Sequence, residues 1–208
     1  MMTIVDYGLG NVRAFTNLFK RLNVPARAAR TAAELNGATR LILPGVGAFD
    51  HAMEQLDASG LRPALEVLVQ EQRVPVLGVC VGMQMLAHGS DEGRLPGLGW
   101  LAGRVRAFRS QPAAATLPMP HMGWNDVHPV APGGLFSGLA DALAEQARFY
   151  FLHSFYFECA EPADEAARAH YGLDFACAVQ RGHVCGVQFH PEKSHHWGER
   201  LLANFARG

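Results

Sequence analysis

The chain has 208 residues, 49% of them hydrophobic and 18% charged, with a formal net charge of -1. That length and apolar content suit one domain over residues 1–208 with a full core, and the near-zero charge argues against nucleic acid or an acidic membrane surface as a partner. There is no run of about 18 apolar residues of the kind that crosses a membrane.

Taken in chain order, Met2 to Val5 reads as a first strand, entered without the basic and apolar regions of a secretory leader. The expected location is the cytoplasm. Val12 to Leu22 reads as an amphipathic helix, and Leu41 to Leu43 as a strand running into Pro44-Gly45-Val46-Gly47-Ala48-Phe49. Leu61 to Val69 reads as a helix, Val74 to Val79 as a buried strand, and Met83 to Ala87 as the start of another helix. Ser110 to Met119, rich in Ala and Pro, reads as a long loop. Arg148 to Phe157, Phe175 to Gln180 and Val184 to Phe189 read as strands, the last two joined by a hairpin turn at Arg181-Gly182-His183. Glu199 to Phe205 closes the chain as a helix.

Strands alternating with helices predict an α/β fold: a mainly parallel central sheet with helices on both faces, plus antiparallel strands in the C-terminal half. In such sheets, sites collect at the carboxyl ends of strands. Cys80, Cys159, Cys177 and Cys185 fit no zinc spacing, so a reduced chain is expected. The ten histidines raise the question of a metal, with His195-His196 the obvious pair. Adjacent residues point apart on a helix, so no metal ion is expected, and no cofactor.

Chemistry concentrates in three stretches. Gly78-Val79-Cys80-Val81-Gly82 follows the Val74–Val79 strand. A small residue two places either side of a nucleophile, between strand and helix, is the elbow pattern G-x-S-x-G with cysteine for serine. A buried structural cysteine is the competing reading. Downstream, Gln188-Phe189-His190-Pro191-Glu192-Lys193-Ser194 carries a base and an orienting acid. In an extended segment His190 and Glu192 leave the same face, giving a dispersed Cys80-His190-Glu192 triad. The glycines around Val46 let the backbone turn, so the N–H groups of Val46, Gly47 and Val81 can hold a developing oxyanion.

The elbow G-V-C-V-G-M-Q, the loop P-G-V-G-A-F and the ending H-P-E-K-S together resemble the class I (triad) glutamine amidotransferases. Three further stretches, Asp6 to Arg13, Pro120 to Asn125 (P-H-M-G-W-N) and His153 to Tyr156, are similar to the glutaminase subunits of imidazole glycerol phosphate synthases within that family. The resemblance implies L-glutamine as substrate. Gln84 would reach its α-amino-acid end, Glu92 its ammonium group, and the backbone at His153, Ser154 and Phe155 its carboxylate. It also implies a (β/α)8-barrel cyclase partner that consumes the ammonia, met by Met122, Trp124, Asn125 and Lys193. Two departures stand out: Phe155 occupies a position where Tyr is expected, and Ser110–Met119 is longer. Competing readings are the glutaminase subunit of an anthranilate or pyridoxal phosphate synthase, a cysteine hydrolase acting on esters or peptides, and a regulatory subunit without catalysis.

Overall fold

The computed structural model describes residues 1–139 and 147–208. Its first half builds a parallel sheet. Strand β1 is Met2–Val5, helix α1 Val12–Arg21, β2 Ala26–Ala29, α2 Ala32–Leu35, β3 Arg40–Gly45 and α3 Phe49–Ala58. Then follow α4 (Arg62–Glu66), β4 (Val76–Cys80) and α5 (Val81–Gln84). β1 lies parallel between β2 and β3, and β3 pairs parallel with β4. Every residue of β1 and β4 is buried, as expected for strands covered on both faces. α1 turns Phe15, Leu18 and Phe19 onto the core at helical spacing, and the Asn11 side chain accepts the Ala14 N–H at its start. Val67–Glu71 opens into a wider turn after α4, closed by the Gln72 N–H on the Val67 carbonyl. The expected helix to Val69 is therefore regular only as far as Glu66.

The second half is antiparallel. It comprises β5 (Gly103–Ala107), β6 (His121–Asp126), β7 (His128–Pro129), β8 (Arg148–His153), β9 (Phe155–Cys159), β10 (Glu165–Tyr171), β11 (Leu173–Arg181) and β12 (Val184–Val187), then helix α6 (His195–Arg207). The main sheet runs β2-β1-β3-β4-β12-β11-β10-β7, with β9 also on β11 and β5 on β9, while β6 and β8 form a separate pair. β12 is the seam: antiparallel to β11 across the Gly182 turn, parallel to β4 on its other side.

Several expectations change. Arg148 to Phe157 is not one strand. The chain breaks at Ser154, because β8 pairs with β6 while β9 pairs with β5 and β11, and the Ser154 carbonyl turns to accept the Phe108 N–H. β12 ends at Val187, and the chain beyond it leaves the β4 ladder: Gln188 N–H reaches the Cys177 carbonyl and His190 N–H the Tyr150 carbonyl. α5 starts directly after Cys80, earlier than Met83, and α6 starts at His195, earlier than Glu199. The Ser110–Met119 segment is pinned, with Ala114 buried and the Tyr171 hydroxyl donating to the Pro118 carbonyl at 2.6 Å. Among the described residues no helix is long and apolar enough to cross a membrane.

Candidate active site

Cys80 ends β4 with φ +56° and ψ -114°, a conformation that non-glycine residues adopt only where the surroundings enforce it. The flanking glycines show what enforces it. A Cβ on Gly82 would collide with the Leu43 carbonyl, and one on Gly78 would sit 2.5 Å from the Gly82 carbonyl oxygen. Backbones of β3, β4 and the elbow therefore touch directly, and the small residues of the motif are a packing requirement.

His190 arrives from the neighbouring strand. β12 pairs Val187 with Val79, so the two chains leave the sheet side by side. His190 and Glu192 are not in an extended segment as expected. Pro191–Lys193 is a single helical turn, and it brings Glu192 Oε1 to 2.9 Å from His190 Nδ1. Ser194 fixes this turn: its hydroxyl donates to the His190 carbonyl at 2.6 Å and accepts the Tyr150 N–H at 3.0 Å. Burial pushes the His190 imidazole down, but hydrogen bonds to Cys80 and Glu192, reinforced by their charges, outweigh it and hold the group up at about 9. Its Nδ1 faces Glu192, which leaves Nε2 for the sulfur.

A cavity of about 290 Å³ opens at this point. Cys80, His190, Val46, Gly47, Val81, Gln84, Glu92, His153, Ser154, Phe155 and Lys193 all line it, so the structure brings together nearly every residue singled out above. Gly47 has φ +86°, and Val46 and Gly47 are exposed beside the elbow. Gln84 is tied inward, its Nε2 donating to Gln188 Oε1 at 3.0 Å and to the Phe155 carbonyl at 3.4 Å. Glu92 Oε2 accepts the Phe49 N–H at 2.9 Å, so this carboxylate caps α3 directly after the Val46–Gly47 loop. Met122 (65% exposed), Trp124 (40%) and Leu152 (37%) share the outer face of the β6–β8 pair, and Leu152 also lines the cavity. Trp124 stacks on His195 at 5.3 Å, and Lys193 Nζ lies 5.8 Å from the Tyr150 ring centre. Asn125 belongs to the other face. Its amide is spent on His121 and on the His170 carbonyl, which takes it away from the exposed patch.

Two contacts were not foreseen. Gln188, fully buried, donates to Cys80 Sγ at 3.8 Å; its place two residues before His190 was the available signal. Tyr7 donates to the Pro44 carbonyl at 2.7 Å and so ties the Asp6–Arg13 stretch to the Gly45–Gly47 loop. Among the described residues no cluster of three or more His, Cys, Asp or Glu side chains could hold a metal.

Residues 3–207 match the model of the class-I glutamine amidotransferases, and the chain belongs to that family. Its fold is that of a solved glutamine amidotransferase, with a TM-score of 0.75 at 23% identity over 98% of this chain and 96% of the other. Within the family the chain is similar to a particular subunit. It is 63% identical to imidazole glycerol phosphate synthase subunit HisH of Bdellovibrio bacteriovorus, over 99% of each chain. It is 48% identical to the subunit of that name from Leptospira interrogans, again over 99% of each.

Proposed function

We propose that this chain, acting as one glutamine amidotransferase domain in the cytoplasm, is the glutaminase subunit of an imidazole glycerol phosphate synthase. It hydrolyses L-glutamine to glutamate and ammonia. The ammonia passes to a (β/α)8-barrel cyclase, which makes imidazole glycerol phosphate and an aminoimidazole carboxamide ribotide in histidine biosynthesis. The observation that carries the reading is the meeting of Cys80, on its strained elbow, with His190 in one cavity, His190 being bonded to the buried Glu192 behind it.

The chemistry follows from the geometry. Cys80 Sγ gives its proton to His190 Nε2 and, as thiolate, attacks the side-chain amide carbon, and the new oxyanion accepts hydrogen bonds from the N–H groups of Val46, Gly47 and Val81. The tetrahedral intermediate collapses as His190 Nε2 gives its proton to the amide nitrogen, so ammonia leaves and a glutamyl thioester remains. His190, now neutral, takes a proton from water. The hydroxide attacks the thioester, the C–S bond breaks, and glutamate departs. Glu192 holds the imidazole through Nδ1 and stabilises its cation. Gln84 and Glu92 meet the amino-acid end of glutamine, and backbone at His153–Phe155 meets its carboxylate. Met122, Trp124 and Lys193 face the cyclase.

The test is covalent. A glutamine-shaped diazoketone should label Cys80 and spare the other three cysteines. Burial pushes Cys159 and Cys185 up to about 12 and Cys177 higher still, so none of them is a thiolate at neutral pH. Cys80→Ala should fold and lose glutamine hydrolysis; labelling spread over several cysteines would sink the reading.

A further inference from the structure

Two buried histidine side chains have no part in the reaction above. His121 on β6 and His153 on β8 are paired in register across the strands and are 4% and 5% exposed. His153 Nδ1 lies 2.8 Å from the Phe155 carbonyl oxygen. A carbonyl only accepts, so Nδ1 carries the hydrogen. The other nitrogen of that ring, Nε2, is then an acceptor, and His121 Nδ1 donates to it at 2.9 Å. His121 Nε2 accepts in turn from Asn125 Nδ2 at 3.2 Å. The orientation of this amide is fixed independently. Its nitrogen also donates to the His170 carbonyl at 2.9 Å, and its oxygen accepts the Asp126 N–H at 2.8 Å. One arrangement of hydrogens satisfies the whole chain: both rings neutral, both protonated on Nδ1.

The surroundings favour that arrangement. His121 is stacked between Phe151 and Tyr171, with ring centres at 4.9 and 4.1 Å. His153 packs against Phe108 and Phe175, each at 5.4 Å. Burial pushes His121 down to about 4. Burial also pushes His153 down to about 3; its bond to Phe155 opposes this, and the charges of His121 and His190 add to it. A proton added to either ring would set N–H against N–H and break the chain.

The chain ends at the corner where β8 passes into β9. Phe155 O takes the His153 Nδ1–H and, at 3.4 Å, the Gln84 Nε2–H. The Ser154 carbonyl takes the Phe108 N–H. His153, Ser154 and Phe155 all line the cavity that holds Cys80.

We infer that His121 and His153 are positioning residues: a neutral relay of one tautomer, anchored on Asn125, that holds the Ser154 corner where the carboxylate of glutamine binds and so sets the distance of its amide carbon from Cys80. The inference rests on the glutaminase reading. A relaxed corner would misplace the substrate and leave the sulfur as it was. The relay therefore governs reactions that need the carboxylate anchor, and not thiol reactivity as such.

The experiment compares two reagents on the full chain: the glutamine-shaped diazoketone, which needs the anchor, and iodoacetamide, which does not. His121→Phe keeps the stack between Phe151 and Tyr171 and removes both ring hydrogen bonds. It should slow diazoketone labelling of Cys80 about tenfold, the size of one well-placed hydrogen bond to a charged group, with iodoacetamide alkylation unchanged. His121→Asn, which keeps a donor at the Nδ1 position, should restore most of the lost rate. Equal slowing with both reagents, or slowing with neither, overturns the inference. Wild-type chain that resists the diazoketone while reacting with iodoacetamide removes the glutaminase reading itself. Should His121→Phe not fold, long-range ¹H–¹⁵N spectra of the wild-type chain at neutral pH decide the matter. Both rings must appear as neutral Nδ1–H tautomers, and an Nε2–H or charged ring at either position refutes the relay.

Discussion

Two buried pairs, His190 with Glu192 and His121 with His153, reach the same cavity, and their imidazoles are tuned in opposite directions. At the corner after β12, His190 meets Glu192 and the Cys80 sulfur, and the imidazole is held up at about 9. Across the β6–β8 pair, His121 and His153 meet aromatic rings, a carbonyl, an amide and each other, and both are pushed far down. Burial is nearly the same for all three rings. What differs is whether an anionic partner offsets desolvation. Histidine content and burial therefore do not single out the proposed acid–base residue; the partner does.

The first way to break this contrast is to remove the charged ring. His190→Asn should lower glutamine hydrolysis by about 10²–10⁴, the usual contribution of general acid–base help, measured as ammonia release with the partner present. Glu192→Ala should lose less, since it orients His190 and does not react. If the losses multiply in the double variant, the two residues do not act as a unit. On the outer face of the β6–β8 pair, Trp124→Ala should weaken binding of the proposed cyclase partner by about 2 kcal/mol if that ring is a hot spot. Its effect on ammonia-fed turnover at saturating partner should be negligible. Unaltered affinity would show that the stack on His195 keeps Trp124 for the fold.

The remaining effect is on stability, and there the two regions should part by sign. The native chain keeps the His190 proton between about 6.5 and 9 while the unfolded chain releases it. That contribution is full below pH 6.5 and is lost as pH rises through about 9. His121 and His153 stay neutral down to about 4 and 3, where unfolded histidines have already charged, so they destabilise the fold as pH falls below about 6.5. Denaturant midpoints across pH should show both limbs. Glu192→Ala should flatten the alkaline one and His121→Phe the acid one; the reverse assignment would refute the contrast.

Local patterns made the charged region legible. The cysteine elbow, the glycines at 45 and 47 and the His-Pro-Glu ending are each continuous in sequence, and the constraint behind each acts over a few residues, as the Gly82–Leu43 contact illustrates. The parallel strands were legible because burial on both faces leaves unbroken apolar runs. The pairing of His121 with His153 was not, because it joins residues 32 apart through strand register. The break at Ser154 was hidden for a related reason: β8 and β9 are both apolar, and only their different partners separate them. Glu92 stands in the sequence only as an expected partner of the substrate ammonium, while its bond to Phe49 across 43 residues carries no local mark. Gln188 stood within a stretch already singled out, yet its contact with Cys80 depends on two strands being neighbours.

The seam between the two halves sets how the chain tolerates editing. β4 ends on Cys80 and β12 leads to the segment that carries His190, and the two strands are adjacent and parallel, about 4.8 Å apart. Nothing in that spacing depends on the length of the chain that joins them. An insertion into the Ser110–Met119 segment should leave the triad in place. A single-residue deletion within Val184–Val187 would slip the register of β12 against β4 and carry His190 away from the sulfur.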